Sequence, residues 1–380
     1  MAVVPEELDR CLAELGLVDH HAHGALRTPV DRSGFESMLT ESPDQPPSGT
    51  GLDTPLGFAL RRWCPPVIDL PEHASADDYW RRRTELGEDE VTRRMLAAAG
   101  IEAYLLDTGY LGERLMDPAQ HARAASAQTR EVLRAESVAE ELLAGAASAE
   151  AFVDGFGELL ATRSRGTVGL KSVIAYRYGF DFDPHRPGRA EVLAAVSRQL
   201  VGDPEELRIT DPVLLRFVLW SAVDAGLPIQ LHSGLGDPDL DLHRANPLLL
   251  TGWLRLVAER GVPVVLLHNY PFHREAGYLA HAFEHVYFDV GLGVNYLGAR
   301  SRQLLAEALE LAPFRKQLFS TDACGPAELH FLGAALWRHG MRRVLGAWVR
   351  EGEWSQTDAV RVARRVGREN ARRLYGLSGG

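Results

Sequence analysis

The stretch Gly16-Leu-Val-Asp-His-His-Ala-His23 is an apolar run that ends in histidines two residues apart. On a β-strand, side chains at i and i+2 face the same way. His21 and His23 would therefore aim two imidazoles at one point from the end of a short buried strand. Imidazole is the commonest protein ligand for zinc and similar ions, and two held side by side on a stiff element form half of a metal site. A His-Ala-His surface turn has the same sequence, so the reading depends on whether the other half occurs at matching positions further along.

Three later segments have the same form. Leu227-Pro-Ile-Gln-Leu-His232 is followed by Ser233-Gly234, and Val262-Pro-Val-Val-Leu-Leu-His268 leads into Asn269-Tyr270-Pro271. Gln317-Leu-Phe-Ser-Thr-Asp322 runs into Ala323-Cys324-Gly325. A single histidine at a strand end is more often a hydrogen-bonded core residue than a ligand. Four strand ends tipped with His or Asp are hard to attribute to chance. Neutral imidazoles plus one carboxylate suit a catalytic divalent ion that keeps a position open for water. Such an ion lowers the pKa of water and polarises a carbonyl. Asp322 beside it can act as general base and pass the proton to a leaving nitrogen. The alternative for Asp322 is a helix N-cap.

The elements that must position these residues alternate along the chain. Strand-like runs cover Leu17 to His21, Ala103 to Asp107, Glu131 to Ala135, Val168 to Ala175, Pro228 to His232, Val262 to His268, Val286 to Asp289 and Gln317 to Ser320. Helix-patterned segments between them include Ala190 to Leu200, Asp211 to Ala225, Pro247 to Arg260 and Arg300 to Leu311. Eight strands, most followed by a helix, predict an α/β fold of the (β/α)8 TIM-barrel type. All the candidate ligands then fall at C-terminal strand ends, where barrel enzymes build their sites. No Gly-x-Gly-x-x-Gly follows the first strand, which removes the main support for a dinucleotide-binding fold.

One connection is long. Residues 24–99, between the first and second strands, hold a Pro/Gly-rich stretch from Ser42 to Gly57 and a charged helical piece from Ala76 to Ala99. Loops of that length are uncommon unless functional or structured. The insertion leaves the strand that carries His21 and His23, so it starts at the mouth of the site. It is read either as a lid or substrate-binding subdomain, or as a solvated insertion or dimer contact. Otherwise the chain, 1–380, is expected to form one domain, with the last helix, Asp358 to Tyr375, packed back on the barrel.

Composition narrows the classes. The chain has 380 residues, 46% apolar and 24% charged, as in a soluble globular protein. Its net charge of −11, with no basic stripe, disfavours nucleic-acid binding. No apolar run approaches a bilayer-spanning length, and the N-terminus lacks the pattern of a signal peptide. Cys11, Cys64 and Cys324 are unmatched, which points to a reducing cytoplasm and away from disulfides or a cysteine zinc site. The expected partner is a small-molecule substrate, with a homo-oligomer left open.

His-x-His on the first strand, His on the fifth and sixth and Asp on the eighth resemble the ligand order of the amidohydrolase superfamily. The ending Asn370-Ala-Arg-Arg-Leu-Tyr375 is similar to its closing helix. A narrower likeness comes from Leu170-Lys-Ser-Val-Ile-Ala-Tyr-Arg177, His232-Ser-Gly-Leu-Gly-Asp-Pro-Asp239 and Arg274-Glu-Ala-Gly-Tyr-Leu279. These resemble the amidohydrolase-2 group, in particular the amidohydrolase-like domain found fused to glutamine-synthetase-type domains. The resemblance implies a metal site of His21, His23, His232 and Asp322, holding Zn²⁺ or a similar divalent ion, with Asp322 also moving the proton. His268 would ligate a second ion or, the use favoured here, stay unligated and stabilise oxyanion charge. In binuclear relatives a fourth-strand lysine is carboxylated and bridges two metals. Lys171 matches that strand but lies near the start of the expected run, where it could instead pair with Glu136 or touch substrate. One ion per chain is therefore expected, and two only if Lys171 is carboxylated.

Weaker candidates surround the mouth. Arg177, after Tyr176, and Arg274, after the sixth strand, could grip a substrate carboxylate, although a surface ion pair is the ordinary fate of each. Asp237, Asp239 and Asp241 would bind substrate amines or cap the next helix, since the Glu and Gly of an EF-hand loop are missing. Cys324 is read as packing, and His20 as a structural residue pointing away from His21. The leading function is metal-dependent hydrolysis of a C–N bond, in an amide or γ-glutamyl-like substrate. A zinc-dependent non-oxidative decarboxylase on the same scaffold and a non-catalytic ligand-binding barrel are the alternatives.

Overall fold

The computed structural model describes residues 5–42, 51–201 and 207–377. Seven strands form one parallel sheet in chain order: β1 (Leu17–Ala22), β2 (Ile101–Asp107), β3 (Gln128–Arg134), β4 (Gly169–Ser172), β5 (Ile229–Ser233), β6 (Val264–His268) and β7 (Val286–Phe288). Parallel neighbours need crossovers, and these are largely helical. Helices cover the outside of the sheet and the strands' own inward side chains fill its inside, which is why a strand such as Val264–His268 is a continuous apolar run buried at every residue.

The expected eighth strand is an extended segment rather than a ladder. Gln317 bridges Phe288, and Leu318 N–H donates to Phe288 O at 3.0 Å. On the other side, Phe319 O accepts from His20 N–H at 3.2 Å, and Asp322 N–H donates to His21 O at 3.1 Å. Residues 317–322 therefore join β7 to β1. Regular pairing fails because a side chain intervenes: Asp19 Oδ1 accepts the Thr321 N–H at 3.0 Å and Oδ2 accepts its hydroxyl at 2.5 Å. Register shifts in the β1–β2 pairing, one between Asp19 and Ala22, disturb the same stretch.

Inside the ring, Val18, Ala103, Leu105, Val132, Val265, Leu267 and Leu318 form an apolar floor together with Ala371 and Tyr375. The last two come from the C-terminal helix, which runs through a π turn at Arg365–Glu369 into Asn370–Leu374. It does pack back on the barrel. Asn370 Nδ2 donates to Phe314 O at 2.7 Å and Gln317 O at 2.8 Å, fixing the eighth segment from below.

Two local expectations change. The strand expected over Val168 to Ala175 stops at Ser172, because Glu136 Oε1 accepts both the Ser172 hydroxyl at 2.5 Å and the Val173 N–H at 3.0 Å. Ile174–Arg177 then turns into a short helix. The piece expected as one helix from Ala76 to Ala99 breaks at Gly87, whose φ of 80° is open to glycine at little cost. The halves are Ala76–Leu86 and Glu88–Ala99. The second packs on the long helix Ala327–Arg350 and leads directly into β2, so it is a crossover helix of the barrel. The first is tied to that long helix by buried charges: Arg83 donates to Glu328 at 2.8 Å and to both oxygens of Glu88. Half of the Pro/Gly-rich stretch, residues 43–50, lies outside the described residues. Among the described residues no helix is long and apolar enough to cross a membrane.

Candidate active site

His21, His23, His268 and Asp322 converge above the apolar floor. Asp322 Oδ1 lies 3.1 Å from His21 Nε2 and 3.8 Å from His23 Nε2, and Oδ2 lies 3.4 Å from His268 Nε2. His268 and Asp322 hold their positions with left-handed backbones, φ 67° and 50°, as does Asn269 at 58°. Non-glycine residues in that region are strained and gather at functional sites.

Neighbouring acceptors fix the tautomers. Gln230 Nε2 donates to His20 O at 2.8 Å and to Tyr375 Oη at 2.9 Å, which turns Oε1 toward His21 Nδ1 at 2.8 Å. An amide oxygen only accepts, so His21 carries its proton on Nδ1. Likewise His23 Nδ1 donates to Asp107 O at 2.9 Å. Both rings thus present an Nε2 lone pair to Asp322, the arrangement found where histidines bind metals. Burial holds His21 and His268 well below the usual histidine pKa and brings His23 to about 4, so all three are neutral at pH 7. Burial pushes Asp322 up to about 7, against the pull of His23 and Lys171.

Lone pairs of His21 and of a carboxylate facing each other at 3.1 Å repel unless a proton or a cation lies between them. His21 Nε2 and both ring nitrogens of His268 are buried without a hydrogen-bond partner. Ligand atoms of His21, His268 and Asp322 lie within 4.8 Å of one another, and so do those of His21, His23 and Asp107. The donor set therefore fits a divalent ion.

The other expected residues divide. His232 lines the pocket, its ring 4.6 Å from that of His268 and 4.4 Å from that of Tyr176, but its Nε2 is bonded to Leu235 O at 2.9 Å. The geometry thus groups His268, rather than His232, with His21 and Asp322. Lys171 is the third of four residues in β4, near the C-terminal end and facing the pocket, because the strand is shorter than expected. Its expected partner Glu136 is engaged by Ser172 and Val173 instead, and burial lowers its pKa to about 8. Tyr176 and Arg177 line the pocket, with Arg177 paired to Glu140 at 2.9 Å. Arg274 is not at the site. It is exposed on the outside of the barrel, where Glu307 and Glu310 hold it at 3.3 and 3.1 Å. His20 does not lie on an opposite face as strand alternation predicts. The register shift in β1 leaves it in the same polar layer, with Nε2 on Asp289 at 2.9 Å and Nδ1 by Tyr375 Oη at 3.2 Å. Cys324 lines the pocket, its thiol pushed up by burial.

Sequence reasoning missed Asp107, Arg134, Tyr110 and Glu41. Asp107 and Arg134 end β2 and β3 and are ion-paired at 2.6 Å. Burial would raise the Asp107 carboxyl, but Arg134 and His23 hold it well below the usual range. Both carried the signal used for the histidines, a polar residue at a strand's C-terminal end. Glu41, from the insertion, carried none. The pocket these residues enclose has a volume of about 470 Å³, within the span of small-molecule sites.

A family model described as amidohydrolase matches residues 114–377. The chain belongs to the amidohydrolase family. The matched stretch contains His232, His268 and Asp322, whereas His21, His23 and the insertion precede it. This amidohydrolase is 26% identical over 407 residues to the protein fluG of Emericella nidulans, covering 95% of the present chain and 46% of the relative, about half its length. Its fold is similar to that of a protein described as a metal-dependent hydrolase from Lactobacillus casei, with a TM-score of 0.86 and 25% identity over 97% of each chain. A uronate isomerase from Thermotoga maritima shares the fold at a TM-score of 0.62 and 14% identity, over 97% and 96% of the two chains.

Proposed function

We propose that this amidohydrolase cleaves a C–N bond, in an amide or γ-glutamyl-like substrate, with the help of one zinc-type divalent ion. The observation that carries the reading is the pair of Nδ1-protonated imidazoles aimed with Asp322 at one point in a pocket-sized cavity. His21, His23 and Asp322 would hold the ion. His268, with both nitrogens free of hydrogen bonds, is the better placed further donor. When bound, the ion supplies Lewis-acid polarisation of a carbonyl and acidification of water.

The remaining work belongs to the chain. Asp322, beside the ion, can take a proton from the attacking water and return it to the departing nitrogen. Lys171 and Arg134 put fixed positive charge beside the pocket, where oxyanion charge would develop. Tyr176 and Arg177 would orient the substrate from the turn after β4.

The test is product analysis on metal-loaded enzyme with a panel of simple amides and the corresponding carboxylic acids. Release of ammonia or amine in step with new carboxylate is the expected result. Release of CO₂ instead would make the chain a decarboxylase, and turnover of neither class would favour a ligand-binding barrel.

A further inference from the structure

The pocket is lined by five carboxyl groups: Glu41, Glu140, Asp237, Asp239 and Asp322. Three have evident partners. Glu140 pairs with Arg177 at 2.9 Å, Asp239 with Arg208 at 2.8 Å, and Asp322 faces the imidazoles. Among the described residues, Glu41 and Asp237 have no Lys, Arg or His within ion-pair distance. Glu41 Oε1 accepts from Tyr296 Oη at 3.1 Å, and Asp237 Oδ1 accepts from the Asp239 backbone N–H at 2.9 Å. A largely buried carboxylate without a cation is costly to keep. Glu41 is such a group, and Asp237, only partly buried, stands close enough to add its charge: burial, Asp322 and Asp237 together push Glu41 up to about 7. Tyrosines complete this corner. Tyr110 and Tyr176 line the pocket and feel the charge of Glu41, and Tyr296 holds its carboxyl. Carboxylates with unspent charge beside aromatic rings are the chemistry that receives an ammonium group.

We propose that Glu41, assisted by Asp237, binds a cationic ammonium group of the substrate, so that the preferred amide carries a protonated amine at one end. The proposal rests on the reading of this pocket as an amide-hydrolase site. Glu41 comes from the insertion after β1, outside the residues matched by the family model.

The experiment uses the zinc-loaded full chain and two readouts. Calorimetry compares binding of n-butylammonium with that of butan-1-ol, and kcat/KM compares mono-acetylated 1,4-diaminobutane with N-butylacetamide. Wild type is expected to favour the cationic member of each pair at least tenfold. Glu41→Gln should bring both ratios close to one, and Asp237→Asn, on the loop after β5, should lower them. Tyr296→Phe, which keeps the charge and removes only its hydrogen bond, should retain most of the preference. No preference in wild type, or a preference unchanged by Glu41→Gln, overturns the proposal. Glu41-dependent ammonium binding without hydrolysis of any amide would leave this subsite standing and overturn the hydrolase reading. Hydrolysis of charged and neutral amides at equal kcat/KM would do the reverse.

Discussion

At the scale of single residues, the site is governed by which ring nitrogen carries a proton. Gln230 and the Asp107 carbonyl leave the Nε2 lone pairs of His21 and His23 facing Asp322. His21→Ala should therefore empty the site, and elemental analysis of the purified variant checks it. The geometry also expects His268→Asn to lose more metal than His232→Asn, and the opposite order would return the ligand role to His232. Asp322→Asn should lower turnover by on the order of 10²–10⁴-fold, read as kcat on whichever amide proves active. Asp19 gives a prediction about pH. Its carboxyl, buried against Thr321, is raised to about 8, so the folded state favours the protonated form. The associated stability is fully present below pH 4, the ordinary carboxyl range, and declines as pH rises toward 8. Thermal melts of wild type should fall over that window more steeply than those of Asp19→Asn.

At the scale of elements, side chains decide where strands and helices stop. Glu136 ends β4 at Ser172 and thereby leaves Lys171 near the end of its strand, facing the pocket. Gly87 divides the second half of the connection into one helix that belongs to the insertion and one that belongs to the barrel. Its φ of 80° with ψ of 158° lies in a region nearly confined to glycine, yet nothing lies within 4 Å of where a Cβ would stand. Gly87→Ala should therefore cost only conformational energy, about 1–3 kcal/mol, measured by denaturant unfolding. A much larger loss would mean that the break is held by contacts rather than by the glycine.

At the scale of the whole molecule, the two ends of the chain meet beneath the site. The Tyr375 hydroxyl, on the last helix, takes the Gln230 amide, and that amide orients His21 on the first strand. Gln230→Leu removes this support without touching the lone pair that faces Asp322. It should weaken metal affinity by about 10–100-fold, as loss of outer partners does at other metal sites, checked by competition against a chelator. Tyr375→Phe should produce a smaller change in the same direction.

The sequence by itself determined the repeating order of strand and helix and the placement of His21, His23, His232, His268 and Asp322 at strand ends. Both follow from local physics: buried parallel strands must be continuous apolar runs, and the polar residue that ends each one is visible as a break in that run. Only the tertiary structure decided which imidazole joins Asp322, where Arg274 goes and where Glu41 lies. Each of those depends on a partner distant in sequence: Leu235 and Tyr176 around His232, Glu307 and Glu310 around Arg274, Tyr296 beneath Glu41. Residue type and spacing announce which groups can do chemistry. The tautomer, the ion pair and the empty side of a carboxylate are set only when the chain has closed on itself.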